Sequence, residues 1–308
     1  MSAPMMIADG KAIELRAGGT DLSERRRSGV SRGSLIDIAP TPDMTGIDCS
    51  ANGAARIGAL VTIDRIANDP RIAAAYPGLA AAAGGLATPQ IRRVATIGGN
   101  LAQHSRCWYY RNPHTACLKK HGSICSARGG NHLYGVIFDL GPCVAPHPST
   151  MAAALLAYDA RIDTDRRADL TIAQLLGDGA NGAVDNALEP GETITRVELP
   201  PPTLGERALY KRAISRASAE WPLVEIVARA VVADGSLRLL RLAAGGVAPV
   251  PLRLAAAEAA AQGAAATGAT IARVVEQSTA GAKPLAMTAY KLDLLKGLVR
   301  DLMERLLA

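Results

Sequence analysis

Apolar positions along the chain fall into two patterns. Short runs bounded by glycine, proline and charge read as strands, and longer stretches with apolar residues at helical spacing read as helices. Lys11 to Arg16 is a short strand that runs into Ala17-Gly18-Gly19-Thr20-Asp21-Leu22, and Ser23 to Arg27 starts a helix behind it. Leu35 to Ile38 is a second strand, ended by Pro40 and Pro42. Arg56 to Leu60 is a third, followed by a helix from Ile63 to Ala67 with Thr62 as its cap. Leu79 to Leu86 is an apolar helix of small residues, after which a second glycine turn runs through Ala95-Thr96-Ile97-Gly98-Gly99-Asn100. A long segment with little hydrophobic period follows. Then Met151 to Asp159 reads as a helix capped by Ser149, Arg161 to Thr164 as a strand, Leu170 to Leu176 as a helix, and Glu192 to Leu199 as a strand. Pro200-Pro201-Pro202 stops that strand and places a domain boundary near residue 203. Arg207 to Ile214, Pro222 to Val232 and Ser236 to Gly245 are successive strands or strand-and-helix units. The remainder is helical, with Leu292, Leu295, Val299, Leu302 and Leu306 forming a core or subunit-contact stripe.

Composition narrows the classes. The 308 residues, 49% of them hydrophobic, suffice for more than one domain with a buried core, which Ala, Leu, Val and Ile must build because aromatics are only 3%. The 34 basic and 28 acidic residues give a net charge of +6, but the charges are scattered and lack aromatic interleaving, so nucleic-acid binding is not expected. Arg25-Arg26-Arg27 reads as a solvated helix face or a contact for an acidic partner. No apolar stretch is long enough for a membrane span, and no export signal opens the chain, so a product made in the cytoplasm is expected.

Candidate chemistry concentrates between Ile91 and Cys143. Backbone N–H groups freed at a glycine turn suit a phosphate, although neither turn matches the dinucleotide fingerprint or a P-loop, and one turn alone can serve only the fold. Two such turns in one domain can grip a dinucleotide pyrophosphate from either side, with the Thr20 and Thr96 hydroxyls as extra donors. Directly after the second turn come Cys107, Cys117, Cys125 and Cys143, spaced 10, 8 and 18 positions apart in a loop rich in Gly, Asn, His, Arg and Pro. Loops this long inside compact domains are commonly functional. Spacing alone leaves zinc, an iron-sulfur cluster and free thiols open, although structural zinc usually takes closely paired thiols, which are absent here. His104, His114, His121 and His132 read as loop or surface residues, and isolated Cys49 as a packing or surface residue.

Taken together, these motifs resemble the flavin subunit of the molybdenum hydroxylases, the xanthine dehydrogenase and carbon monoxide dehydrogenase family. The resemblance is carried in order by Ala17 to Leu22, Ile57-Gly58-Ala59-Leu60, Ile91-Arg92, Ala95 to Leu101, His147-Pro148-Ser149 and Gly245-Gly246-Val247-Ala248-Pro249. The four-cysteine insertion is similar to that of the bacterial periplasmic aldehyde oxidoreductase branch, and less closely to the β subunit of 4-hydroxybenzoyl-CoA reductase. Two departures are visible. The first glycine turn is preceded by one short strand where the family places a further strand-helix unit, and Thr150 stands where relatives carry aspartate.

The resemblance implies an α+β fold, with a two-lobed FAD-binding domain at residues 1–202 and a C-terminal domain of a small sheet with helices at 203–308. It implies FAD held by Ala17, Gly18, Gly19, Thr20, Asp21, Leu22, Thr96, Gly98, Gly99 and Asn100, with Ile194 packing on the cofactor and Lys211 as a cation near the flavin. It further implies a [4Fe-4S] cluster on Cys107, Cys117, Cys125 and Cys143 within a loop spanning 103–147. The expected function is electron transfer. A large partner subunit with a molybdenum cofactor oxidises an aldehyde, a small [2Fe-2S] subunit relays electrons, and FAD here passes them to an external acceptor; the finished complex can be exported on a partner's signal. The competing readings are a zinc-bound scaffold without flavin, a flavin subunit of a hydroxybenzoyl-CoA reductase-like or other molybdenum hydroxylase, and a self-standing flavin oxidase. The last would need an aromatic acid-base cavity that the sequence does not show.

Overall fold

The computed structural model describes residues 13–215 and 219–308, so Lys11 and Ala12 of the first expected strand lie outside the described residues. Strand β1 (Ile13–Arg16) pairs in parallel with β2 (Ser34–Asp37), Ile13 opposite Ser34 and Arg16 opposite Asp37, with the helix Leu22–Arg27 between them. This strand–helix–strand unit sets the first glycine turn at the mouth of β1.

The second lobe is an antiparallel sheet of five strands in the order β3-β4-β7-β5-β6: β3 (Ile47–Cys49), β4 (Ala55–Gly58), β5 (Arg161–Thr164), β6 (Leu170–Thr171) and β7 (Ile194–Leu199). Helices Ile63–Asn68 and Pro77–Gly85 pack on each other and share its core, the first capped by Thr62, whose side chain accepts from the Arg65 amide. Period-two burial places Ile57, Ile162 and Val197 in one core with Leu79, Leu101, Met151 and Leu155. Beyond Leu199 the chain leaves this sheet. Its next strand, β8 (Arg207–Ala213), is the edge of an antiparallel sheet ordered β11-β10-β9-β8, with β9 (Val224–Ala233), β10 (Ser236–Gly245) and β11 (Leu252–Arg253).

Strand β9 is buried on both faces. Val224, Ile226, Ala228 and Ala230 join the core under the last helix, Tyr290–Leu307, whereas Val227 joins the core of the preceding lobe. Glu225 and Arg229 share the face of Val227 and are buried there against the rest of the chain. The helix Thr150–Ala157, capped by Ser149 as expected, packs against both β9 and β10, so the two larger units share a continuous core. Among the described residues no helix is long and apolar enough to cross a membrane.

Candidate functional site

The two glycine turns, far apart in sequence, close on one cleft of about 90 Å³. Ala17, Gly18, Gly19, Thr20, Asp21 and Leu22 line it from one side, Thr96 and Gly99 from the other. Each glycine has its own physical reason. At Gly18 a Cβ would lie 2.0 Å from the Val94 carbonyl oxygen, so the two turns touch through bare backbone. Gly19 has φ +69°, a conformation that side chains resist. Gly98 donates its N–H to the Ala59 carbonyl at 2.9 Å, and a Cβ there would lie 2.8 Å from the Ala59 Cβ. Gly99, by contrast, meets only the Thr96 hydroxyl at 3.0 Å and Ala17 at 4.0 Å, so its missing side chain opens space toward the cleft. Thr96 is the helix cap, its hydroxyl accepting from the Gly99 amide at 3.1 Å.

Not every expected residue reaches the cleft. Asn100 is buried and braces the turn from behind: its Oδ1 accepts from the Ser149 hydroxyl at 2.7 Å and the Met151 amide at 3.3 Å. Gly98 packs on Ala59, and Ile194 opens β7 inside the core. Lys211, on β8, is ion-paired at 2.7 Å with Asp301 of the last helix, and it lines neither this cleft nor the larger cavity described below.

The charge around the cleft is set by Arg25, Arg106 and Arg111, of which the sequence pattern misassigned Arg25. Arg25 is not on a solvated face: it lines the cleft, with its Nε 3.2 Å from Asp21. Arg26 is tied to Glu14 at 2.6 Å and to the Gly33 carbonyl at 2.7 Å, which leaves Arg27 as the exposed member of the run. Asp21 is also ion-paired with Arg106 at 2.8 Å, and it accepts from Arg111 at 2.7 Å and the His104 amide at 3.1 Å. Burial pushes its carboxyl up, but Arg106, Arg111 and Arg25 together hold it below the usual carboxylate range. Gln103 lines the same cleft and bonds Arg106. The legible signals were the i,i+4 spacing of Asp21 and Arg25 and the two arginines flanking Cys107 to Tyr110.

The cysteine loop lies beside a second, larger cavity of about 330 Å³, which the C-terminal domain completes. Cys107, Trp108 and Tyr134 line it from the loop, Trp221 and Lys291 from the other side. Arg106 connects the two cavities: it holds Asp21 while its guanidinium stacks 4.4 Å from the Trp221 ring centroid. The Lys291 ammonium donates to the carbonyls of Tyr134 at 3.1 Å and Gly246 at 2.9 Å, and burial lowers its pKa to about 7. All five cysteines are free, with Cys49 exposed on β3. Cys143 donates to Cys125, which lowers the Cys125 thiol to about 5 and pushes Cys143 up, whereas burial raises Cys107 and Cys117. Cys107 feels the charge of both Cys117 and Cys125, so the four thiols share one neighbourhood. Among the described residues no three His, Cys, Asp or Glu side chains gather about a single point as one metal ion would require. Of the loop histidines, His104 donates from Nδ1 to the Asp185 carboxylate at 3.0 Å, His132 accepts from the Met287 amide, and His114 and His121 are exposed.

Comparison with known proteins covers both domains. Residues 2–202 match the family described as the FAD binding domain in molybdopterin dehydrogenase, and residues 208–306 the CO dehydrogenase flavoprotein C-terminal domain. The chain is 36% identical over 289 residues to the aldehyde oxidoreductase FAD-binding subunit PaoB of Escherichia coli (strain K12), covering 91% of this chain and 87% of that protein. Its fold matches a chain of quinoline 2-oxidoreductase from Pseudomonas putida 86, with a TM-score of 0.73 at 21% identity over 96% of this chain and 89% of that one. It likewise matches a chain of reconstituted CO dehydrogenase from Oligotropha carboxidovorans, with a TM-score of 0.74 at 20% identity over 96% and 90%.

Proposed function

The chain belongs to the family of FAD-binding subunits of the molybdenum hydroxylases, and from that premise we propose that it is the flavin subunit of a molybdenum-dependent aldehyde oxidoreductase. The observation that carries the reading is the convergence of two glycine turns on one cleft. The residues fit a dinucleotide: Gly19 holds a left-handed turn, Gly99 leaves room, and the buried Nε of Arg25 is without a hydrogen-bond partner beside them. Ala17 to Leu22, Thr96 and Gly99 would hold the pyrophosphate, with Gly98 and Asn100 fixing the second turn from behind, while Ile194 keeps β7 packed beneath. The larger cavity, walled partly by the C-terminal domain, is where the flavin ring would face. Bound FAD would supply storage of an electron pair and its release to an external acceptor. We do not assign Lys211 to the flavin, because Asp301 already neutralises it.

A [4Fe-4S] cluster on Cys107, Cys117, Cys125 and Cys143 is part of the same proposal. An all-thiol donor set suits iron-sulfur chemistry, and a cluster spreads its ligands over several irons, which agrees with thiols that share a neighbourhood without meeting at a point. The molybdenum cofactor and [2Fe-2S] clusters then belong to a large and a small partner subunit. Aldehyde as the substrate class is brought by the name of the Escherichia coli relative.

Flavin analysis tests the reading directly. The purified full-length chain, as isolated or after incubation with FAD, is expected to carry stoichiometric FAD. A folded chain that takes up no flavin would reject it.

A further inference from the structure

Among the described residues the charges around the first glycine turn do not balance. Asp21 and Glu24 face three guanidiniums: Arg25, Arg106 and Arg111 lie 3.2, 2.8 and 2.7 Å from Asp21, and Glu24 takes Arg106 at 3.1 Å together with Arg111. The neighbouring ion pairs cannot supply the missing negative charge, since Arg16 is matched by Asp37 and Arg26 by Glu14. The three arginine side chains are only 16, 20 and 10% exposed, so the excess cation sits where solvent screens it poorly.

The three arginines are not equivalent. Arg111 is saturated, donating from Nε to the Ser105 carbonyl at 2.8 Å and also to the His104 carbonyl at 3.1 Å. Arg106 adds Gln103 at 3.0 Å, and although its Nε is buried without a hydrogen-bond partner, as that of Arg25 is, its exposed edge turns away from the cleft to the larger cavity and Trp221. Arg25 lines the cleft between the glycine turns and hydrogen-bonds the Tyr110 side chain. Its Nε is sealed from solvent, and its approach to Asp21 lacks the alignment of a hydrogen bond.

We propose that Arg25 is the anion-binding side chain of this cleft, pairing with the diphosphate of the bound dinucleotide, which supplies the negative charge that Asp21 and Glu24 leave short against Arg25, Arg106 and Arg111. The inference rests on the FAD reading above and deepens it. Glycine turns offer a phosphate only backbone donors, whereas a guanidinium adds a full charge and a planar fork that matches two phosphate oxygens. Asp21 acts as the positioning residue: placed one helical turn before Arg25, it holds the guanidinium over the cleft.

The test is FAD titration of the full-length apo chain, followed by flavin fluorescence over a range of NaCl concentrations, for the wild type, Arg25→Gln, Arg25→Lys and the exposed neighbour Arg27→Gln. Arg25→Gln is expected to weaken FAD about ten- to a hundredfold, as loss of a charge-assisted bond does, and to flatten the salt dependence. Arg25→Lys should keep the salt dependence while losing several-fold in affinity, and Arg27→Gln should change neither. Unchanged melting temperatures separate binding from folding. If wild type and Arg25→Gln bind FAD within about twofold with the same salt dependence, the role of Arg25 is overturned and the FAD reading stands. If Arg25→Gln does not fold, Arg25→Lys with wild-type affinity overturns it equally. A wild-type chain that binds no FAD removes both.

Discussion

At Gly98 an added methyl group would lie 2.8 Å from the Ala59 Cβ, whereas at Gly99 the nearest atoms are the Thr96 hydroxyl at 3.0 Å and Ala17 at 4.0 Å. The two neighbours should therefore fail in different ways. Gly98→Ala forces the second turn off the strand end and is expected to lower stability by roughly 1–3 kcal/mol, read as a fall in melting temperature. Gly99→Val should leave a folded chain whose FAD content is lost, and a variant that keeps stoichiometric flavin would remove Gly99 from the cradle. A second residue reports on pH. Glu225 is fully buried on β9 between the Tyr210 hydroxyl, which donates at 2.8 Å, and the Thr150 side chain, with Arg212 on the paired strand facing it. Burial raises its carboxyl to about 7. The folded chain then binds a proton that the unfolded chain has released, so this group's contribution to stability is full below about pH 4.5 and declines as pH rises toward about 7. The whole effect is on the order of 3 kcal/mol. Glu225→Gln should flatten the pH dependence of unfolding across that window; a difference between wild type and variant that does not change with pH would show that Glu225 titrates normally.

Local pattern was enough wherever an element's reason for existing is local. Thr62 and Ser149 cap the helices assigned to them, β5 and β10 span the expected residues, and the stripe from Leu295 to Leu306 is core. Elements and roles decided by distant partners were not legible. Leu170 opens a strand pairing with β5 before Thr171 starts the helix, and the expected flavin cation Lys211 is claimed by Asp301, 90 positions away. Arg25 belongs to the same class, since a triple arginine looks like a solvated face until the second turn and the cysteine loop close over it. The cysteine loop, with little regular structure of its own, is held by side chains such as Arg128, which bonds Asp139 and the Pro142 and Gly141 carbonyls. That loop carries its own prediction. Replacing Cys107, Cys117, Cys125 or Cys143 with serine should lower iron and sulfide in anaerobically purified protein, while Cys49→Ser, on exposed β3, should leave both unchanged. Zinc in place of iron and sulfide would overturn the cluster.

At the scale of the molecule, the cleft between the glycine turns and the larger cavity are joined by Arg106, and the two larger units are joined through the helix Thr150–Ala157, whose Ala157 carbonyl accepts from the buried Arg229 of β9 at 2.5 Å. The scaffold would hold a redox group between its parts. It is poorly furnished for oxidising a substrate unaided. In the larger cavity Lys291 is occupied by two backbone carbonyls and His132 by a backbone amide, and Glu220, the one carboxylate among the described lining residues, accepts from the Ser215 hydroxyl. The isolated chain is therefore expected to hold FAD and yet turn over no aldehyde. Recombined with its molybdenum and [2Fe-2S] partners, it should support aldehyde-dependent reduction of an acceptor, and a flavin-free Gly99→Val chain in the same complex should block that reduction while the molybdenum centre is still reduced by aldehyde. The measurement is acceptor reduction alongside the absorbance of the metal centres. Robust aldehyde oxidation by the lone chain would place the chemistry here instead of in a partner, and full acceptor reduction by the flavin-free complex would take this subunit off the electron path.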